Sequence, residues 1–175
     1  MEEQEQKSVE EKLKIENQFK AGANWFFWIA GLSLINSVIL LTGSEWSFII
    51  GLGITQIIDS IGLVLAEEVG IAGKIVALVF DVIAAGIFVL FGVFAKKRYT
   101  WAFVVGMILY AVDGLIFLLV MDWLSIGFHI FALFCIYGGF KASRKLADLE
   151  EKQVLGTQTI PVSAPIADEQ PTAGY

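Results

Sequence analysis

Hydrophobic residues form five long runs along the chain, and short polar segments separate them. A helix needs about 20 mostly apolar residues to cross roughly 30 Å of hydrocarbon, and it satisfies its own backbone hydrogen bonds in lipid. The five runs approach or exceed that length, so the pattern predicts an all-α membrane helical bundle. The runs cover residues 23–42, 46–66, 70–95, 99–121 and 123–140.

The two ends of the chain lack such runs. Residues 1–20 are charged, and the Glu10/Lys14 and Glu16/Lys20 pairs have the four-residue spacing that stabilises a solvated helix. The C-terminal end is polar, has no periodicity and contains all three prolines. We therefore expect a charged cytoplasmic N-terminal helix (1–20), a transmembrane helical bundle (21–145) and a polar, largely disordered tail (146–175).

Lysine and arginine set the expected orientation, because cytoplasmic loops of membrane proteins are enriched in them. They cluster at 96–98 and 141–145, and further lysines precede the first run. Acidic residues dominate the opposite turns. This distribution predicts a multi-pass protein of a plasma membrane or bacterial inner membrane with both termini in the cytoplasm.

Five crossings would place the termini on opposite sides, which conflicts with this orientation. The second run contains Gly51 and Gly53 on either side of Leu52, where a helix can break. We therefore expect four transmembrane helices plus one glycine-broken re-entrant or interfacial segment, which irregular backbone permits only where protein surrounds it. Five transmembrane helices with an external N-terminus is the alternative.

Composition narrows the partners and the chemistry. Hydrophobic residues make up 57% of the chain and charged residues only 17%, well below the roughly 25% of soluble domains. A basic nucleic-acid footprint and the Walker, Rossmann and haem motifs are absent from the sequence, so no nucleic acid and no cofactor are expected. One cysteine excludes an internal disulfide. The expected partners are the lipid bilayer, a proton or small ion, and a second copy of the chain.

Each hydrophobic run carries one strongly polar residue in its interior. Such a residue costs at least a few kcal/mol in lipid unless it finds a partner, so it is a functional hypothesis by default. Four of them lie roughly 9–16 Å from the same membrane surface, and the helix faces that carry them are rich in small residues. The predicted polar site consists of Asn36, Asp59, Asp81, Asp113 and His129.

We expect Asp81, Asp113 and His129 to approach one another in one layer, with Asp59 closing it from the outer side. Two functions suit such a layer. A shared proton or a small cation would couple the site to transport. Alternatively, the layer only holds the helices together in a non-catalytic structural or interaction protein. A water-filled cavity would favour transport, and a dry, mutually hydrogen-bonded layer would favour the structural role.

Enzymatic functions fit the sequence less well. Asp81 and Asp113 on consecutive runs resemble the paired carboxylates of intramembrane aspartyl proteases, but the Gly-x-Gly-Asp motif of those families is missing, since Ile54 follows Gly53. One histidine cannot supply the usual ligands of a metalloprotease. We therefore predict no catalytic residues and assign no metal. In general character, residues 20–145 resemble small multi-pass membrane proteins of bacteria, a resemblance that implies location but no activity.

Overall fold

The computed structural model describes residues 2–42 and 51–158, and every regular element there is an α-helix. Four of these helices contain stretches long and apolar enough to cross a membrane, judged by length and composition. The remaining helix, α2, has 17 residues and is shorter. The predicted all-α architecture with four spanning helices and a fifth apolar segment is thus confirmed. The helices are α1 (Glu2–Leu41), α2 (Gly53–Val69), α3 (Ile71–Lys96), α4 (Thr100–Leu119) and α5 (Trp123–Gln158).

The bundle exposes apolar side chains and buries polar ones. Phe134 and Phe80 are 74% and 54% exposed, whereas Asp81 and Ser33 are 0% exposed. Water would penalise a surface made of so many large apolar side chains, while lipid does not. This inverted pattern is compatible with a protein whose helices are surrounded by hydrocarbon.

Two ends of the bundle can be distinguished by charge. The basic end carries the α3–α4 turn at 96–98 and the 141–145 segment of α5, whereas the acidic end carries the α4–α5 turn at Asp122 and the α2–α3 turn. Gly70 makes the α2–α3 turn with a φ of +65°, a conformation that residues other than glycine adopt only with strain. Since α3 runs from this turn to the basic end, α2 leaves the bundle at the acidic end.

Aromatic packing joins α1, α3 and α4 in the half of the bundle nearer the basic end. The Phe26 ring lies 6.4 Å from the Phe88 ring, 6.1 Å from Phe91 and 6.1 Å from Phe103, measured between ring centroids. Aromatic pairs at these separations prefer the tilted arrangements seen here. The half of the bundle nearer the acidic end contains most of the buried polar residues.

Helices α1 and α5 pack backbone against backbone. A Cβ atom added at Gly22 would lie only 2.4 Å from the Cα atom of Gly139, so the close approach requires a glycine. Small residues at helix interfaces allow this kind of contact in membranes. The two helices therefore form a tightly joined antiparallel pair.

This pair continues beyond the predicted limits of the bundle. Ile15 and Leu146 belong to the buried core, and the Lys145 Nζ atom lies 2.6 Å from the Glu11 Oε1 atom. The predicted boundaries at residues 20 and 145 are therefore not the limits of packing. Helix α5 also extends to Gln158, so residues 146–158 of the predicted disordered tail are helical. Residues 159–175 lie outside the described part of the chain.

Helix α2 begins inside the bundle. The Leu52 amide donates a hydrogen bond of 2.8 Å to the Ser33 hydroxyl, and Ser33 lies eight residues before the end of α1, about 12 Å along its axis. From Gly53, α2 then runs outward to the acidic end, where α1 also ends. The helix starts directly after Gly51 and Leu52, the predicted break, so the described part of the second run begins inside the bundle and ends at the acidic end.

Candidate functional site

The Asp113 carboxylate, on α4, binds the first turn of α2. The Gly53 amide donates to its Oδ2 atom at 2.7 Å, and the Ile54 amide donates to its Oδ1 atom at 2.9 Å. Amides in the first turn of a helix have no acceptor within the helix, and they form the positive end of its dipole. Asp113 therefore supplies the two acceptors that the buried start of α2 requires.

His129, on α5, makes a third contact with Asp113. Its Nε2 atom lies 3.1 Å from Asp113 Oδ2, and its Nδ1 atom lies 2.8 Å from the Ser125 carbonyl oxygen. A carbonyl oxygen only accepts hydrogen bonds, so Nδ1 carries a proton. The contact at Nε2 needs one further proton, on either the imidazole or the carboxyl group. In both forms, the pair carries no net charge.

Aromatic rings enclose this pair. The Tyr110 ring stacks on the His129 ring at 4.2 Å between centroids, with an angle of 16° between the planes, and the Phe117 ring lies 5.0 Å away. His129 and Asp113 are 3% and 7% exposed. The rings provide apolar walls and a π-face for an imidazolium. This half of the predicted site is enclosed and mutually hydrogen-bonded.

A second polar cluster joins α1, α2 and α3. The Ser37 hydroxyl donates to the Asp59 Oδ2 atom at 3.0 Å, and the carboxyl group of Asp81 lies near both of them without a hydrogen bond to either. Within the described chain, neither oxygen of Asp81 has a partner at hydrogen-bonding distance, although the residue is fully buried. Buried polar atoms of this kind are rare, because each costs free energy until something binds it.

The chemistry of the Asp59–Asp81 pair follows from the closeness of its two carboxyl groups. Two ionised carboxylates cannot share a low-dielectric site without strong repulsion. The pair is therefore most stable when it holds a proton or a small cation. Residues 2–42 and 51–158 contain no cluster of three or more metal-ligating His, Cys, Asp or Glu side chains. The ligands at hand are two carboxyl groups and the Ser37 hydroxyl.

The contacts separate the predicted single layer into two groups. Asp113 and His129 meet at Gly53, the start of α2. Asp81 instead lies beside Asp59, which follows Gly53 by six residues, about 9 Å along the axis of α2. Asn36 is buried on α1 next to Ser37. No hydrogen bond in the described chain joins Asp81 to Asp113 or His129, and the expected convergence of these three residues stays a prediction.

The sequence did not reveal several of the residues that complete these groups. Ser33 and Ser37 have the four-residue spacing of a helix contact, but the Ser33 hydroxyl also accepts from Leu52 and donates to the Ile29 carbonyl at 2.9 Å. Two of the three partners of Asp113 are backbone amides, which every residue except proline possesses. The glycines around Leu52 were the one signal that a helix start lies there.

The two groups differ in what they can do. In the Asp113 group, both carboxyl oxygens have hydrogen-bond partners and only the buried Tyr110 hydroxyl has none in the described chain, whereas both oxygens of Asp81 are without one. No protein-family model matches the chain, and neither a curated protein nor a solved structure matches it.

Proposed function

We propose that this is a multi-pass integral membrane protein in which the Asp59–Asp81 pair binds a proton or a small monovalent cation, and that this binding is coupled to transport. The observation that supports the proposal is the fully buried Asp81, whose two oxygens have no hydrogen-bond partner in the described chain and which lies beside a second acid. Ionisable residues within a membrane commonly mark ion and proton pathways.

The proposed location is a plasma membrane or bacterial inner membrane, with the basic end in the cytoplasm. Two observations support it. Four helices are apolar and long enough to cross a bilayer, and Lys96, Lys97 and Arg98 lie at the same end as the Lys141–Lys145 segment. The positive-inside rule favours the cytoplasm for that end.

Replacing Asp81 tests the proposal. Asp81→Asn keeps the shape of the side chain but removes its charge and its titration. In wild-type protein, a ligand that binds only the folded state raises the melting temperature by mass action. We expect the melting temperature of the wild type to depend on pH or on added Na⁺, K⁺ or Li⁺, and Asp81→Asn to lose that dependence. In sealed vesicles that contain Asp81→Asn, the ion flux should fall to the level measured in vesicles without protein.

Asp148→Asn is the matched control, because Asp148 is an exposed acid on α5. It should retain both the ion dependence and the flux of the wild type. Flux that is identical in Asp81→Asn and in the wild type would contradict the proposal, as would a wild-type melting temperature that responds to neither pH nor cation.

A structural role is the second candidate, and the Asp113 group favours it. Asp113, His129 and the first turn of α2 form a closed set of hydrogen bonds that anchors a re-entrant helix. In that case the polar residues hold the bundle together for an interaction partner, which includes a second copy of the chain. Wild-type vesicles without any ion flux, combined with strong destabilisation by changes at Asp113, would favour this role.

A further inference from the structure

The geometry points to a binding site for one anionic phospholipid in the groove between α1 and α5 at the basic end of the bundle. The groove has a volume of about 760 Å³, within the range of small-molecule sites. It lies apart from both the Asp59–Asp81 pair and the Asp113 group. It is therefore independent of the proposed ion site.

The part of the groove nearer the basic end of the bundle is positively charged. Lys14, Lys141 and Lys145 line it together with one acid, Glu11, whose carboxylate already pairs with Lys145 at 2.6 Å. Lys14 and Lys141 have no ion pair in the described chain. Two lysine charges are therefore available to a phosphate group.

The part of the groove nearer the middle of the bundle is apolar. Trp25, Phe134 and Tyr137 form its walls, and Phe134 and Tyr137 are largely exposed at the surface of the bundle. Gly22 and Gly138 also line the groove, where α1 and α5 approach each other closely. An acyl chain can pack against these apolar walls.

The order of these two parts matches a phospholipid. Lys14 lies eleven residues before Trp25 on α1, about 16 Å along the axis, and Lys141 lies seven residues after Phe134 on α5, about 10 Å along its axis. The charged part is thus toward the basic end and the apolar part toward the middle of the bundle. A phosphate attached to an acyl chain has the same sequence of chemistry from headgroup to tail.

Lipid is the occupant because the groove opens sideways, between two helices that contain membrane-spanning stretches. Basic pockets between transmembrane helices bind anionic headgroups, and each lysine near the surface contributes to that attraction. A soluble anion would use the lysines but would leave the aromatic walls unused. The apolar half of the groove therefore distinguishes a lipid from free phosphate.

The experiment uses the full chain in a zwitterionic detergent, titrated with phosphatidylglycerol or with phosphatidylcholine of the same acyl chains. Two signals are followed: the melting temperature, and the alkylation rate of Cys135, the single cysteine of the chain, which lines the groove. Phosphatidylglycerol should raise the melting temperature and slow the alkylation at concentrations where phosphatidylcholine does neither. The double variant Lys14→Gln/Lys141→Gln should weaken the binding about 30-fold.

Two further variants make the result specific. Lys7→Gln/Lys152→Gln removes the same charge from the same two helices outside the groove, and it should bind like the wild type. Ala21→Trp fills part of the groove and leaves all lysines in place, so it should also lose the lipid, and it decides the question if the double lysine variant does not fold. Equal weakening in the Lys7/Lys152 control, equal binding of phosphatidylcholine, or full protection by inorganic phosphate alone would overturn the proposal.

Discussion

Two aspartates cap helix starts in this protein, one inside the bundle and one at its surface. Asp113 accepts from the first amides of α2 while buried, whereas Asp122 accepts from the Leu124 and Ser125 amides of α5 at 3.2 Å each, in the turn at the acidic end. The hydrogen-bonding pattern is similar, but only Asp122 has access to solvent. Comparing substitutions at the two residues therefore gives the difference in stability between a buried and a partly exposed capping carboxylate.

Changes at Asp113 should cost more than the same changes at Asp122. Asp113→Asn keeps one acceptor oxygen and should reduce the free energy of unfolding by about 1–3 kcal/mol. Asp113→Ala leaves two amides and His129 without their partner, so about 3–5 kcal/mol is expected. Unfolding in detergent measures both values, and Asp122→Ala, at about 1 kcal/mol, is the control. An Asp113→Ala variant no less stable than Asp122→Ala would show that α2 is not held by this carboxylate.

Asp122 also predicts a pH dependence. The hydrogen bond from the Ser125 hydroxyl, at 2.6 Å, lowers the pKa of Asp122 below its ordinary value of 3.8, with help from the two amides. A group whose pKa is lowered by folding stabilises the folded state above its unfolded pKa, and that contribution is lost as the pH falls through the lowered value.

The difference in unfolding free energy between wild type and Asp122→Ala should thus be constant well above pH 3.8 and shrink below it. Asp122→Asn, which caps a helix without titrating, should show no such trend when compared with Asp122→Ala. A difference that grows with acidification would contradict this assignment of sign.

At the scale of single residues, the sequence predicted which side chains matter but not how they pair. An aspartate inside an apolar run is conspicuous, because lipid penalises it whatever its partner is. Its partner is decided by helix rotation and tilt, which small-residue faces constrain only loosely. For this reason the sequence grouped Asp59, Asp81, Asp113 and His129 in one layer but could not show that Asp81 pairs with Asp59 and Asp113 with His129.

At the scale of elements, the spanning helices were predictable and their ends were not. Bilayer thickness sets the length of an apolar run, so the positions of α3 and α4 follow directly from composition. Beyond the apolar runs, packing depends on isolated residues such as Ile15 and Leu146, which stand among charged neighbours and form no run. The extended α1–α5 pair therefore gave no signal in the hydrophobic pattern.

The contact between α1 and α5 yields a prediction about glycine. Gly22→Ala places a methyl group against the backbone of Gly139, which cannot yield as a side chain can, so we expect a loss of about 1–3 kcal/mol. Gly31→Ala on the same helix meets nothing within 4 Å and should be neutral or slightly stabilising, since alanine favours helix. Thermal unfolding of both variants decides it. Equal stability of the two would mean that the helices lie further apart.

At the scale of the whole molecule, the outer parts of α1 and α5 lie together. Lys145 pairs with Glu11, and the Lys12 ammonium group lies 3.4 Å from the Gln153 side-chain oxygen. A helix start and a helix end that touch in this way lie at the same end of the bundle. This arrangement agrees with an even number of crossings and with a second run that turns back.

Tags at the two termini should therefore be cleaved from the same side of oriented vesicles, and the positive-inside rule places that side in the cytoplasm. Asp122→Cys, in the turn at the acidic end, serves as the control and should react only from the opposite side, after Cys135 has been replaced by alanine. Termini that are accessible from opposite sides would require α2 to cross the membrane.

The anchoring of α2 also has a consequence for biosynthesis. Gly53 emerges from the ribosome 60 residues before Asp113, the carboxylate that binds its amide. Until α4 has entered the bilayer, the first turn of α2 would have to face hydrocarbon with unsatisfied amides, which costs several kcal/mol for each group. The segment must therefore wait at the membrane surface or within the insertion machinery while later helices are made. We therefore expect the second helix to reach its final position only after the fourth has been inserted.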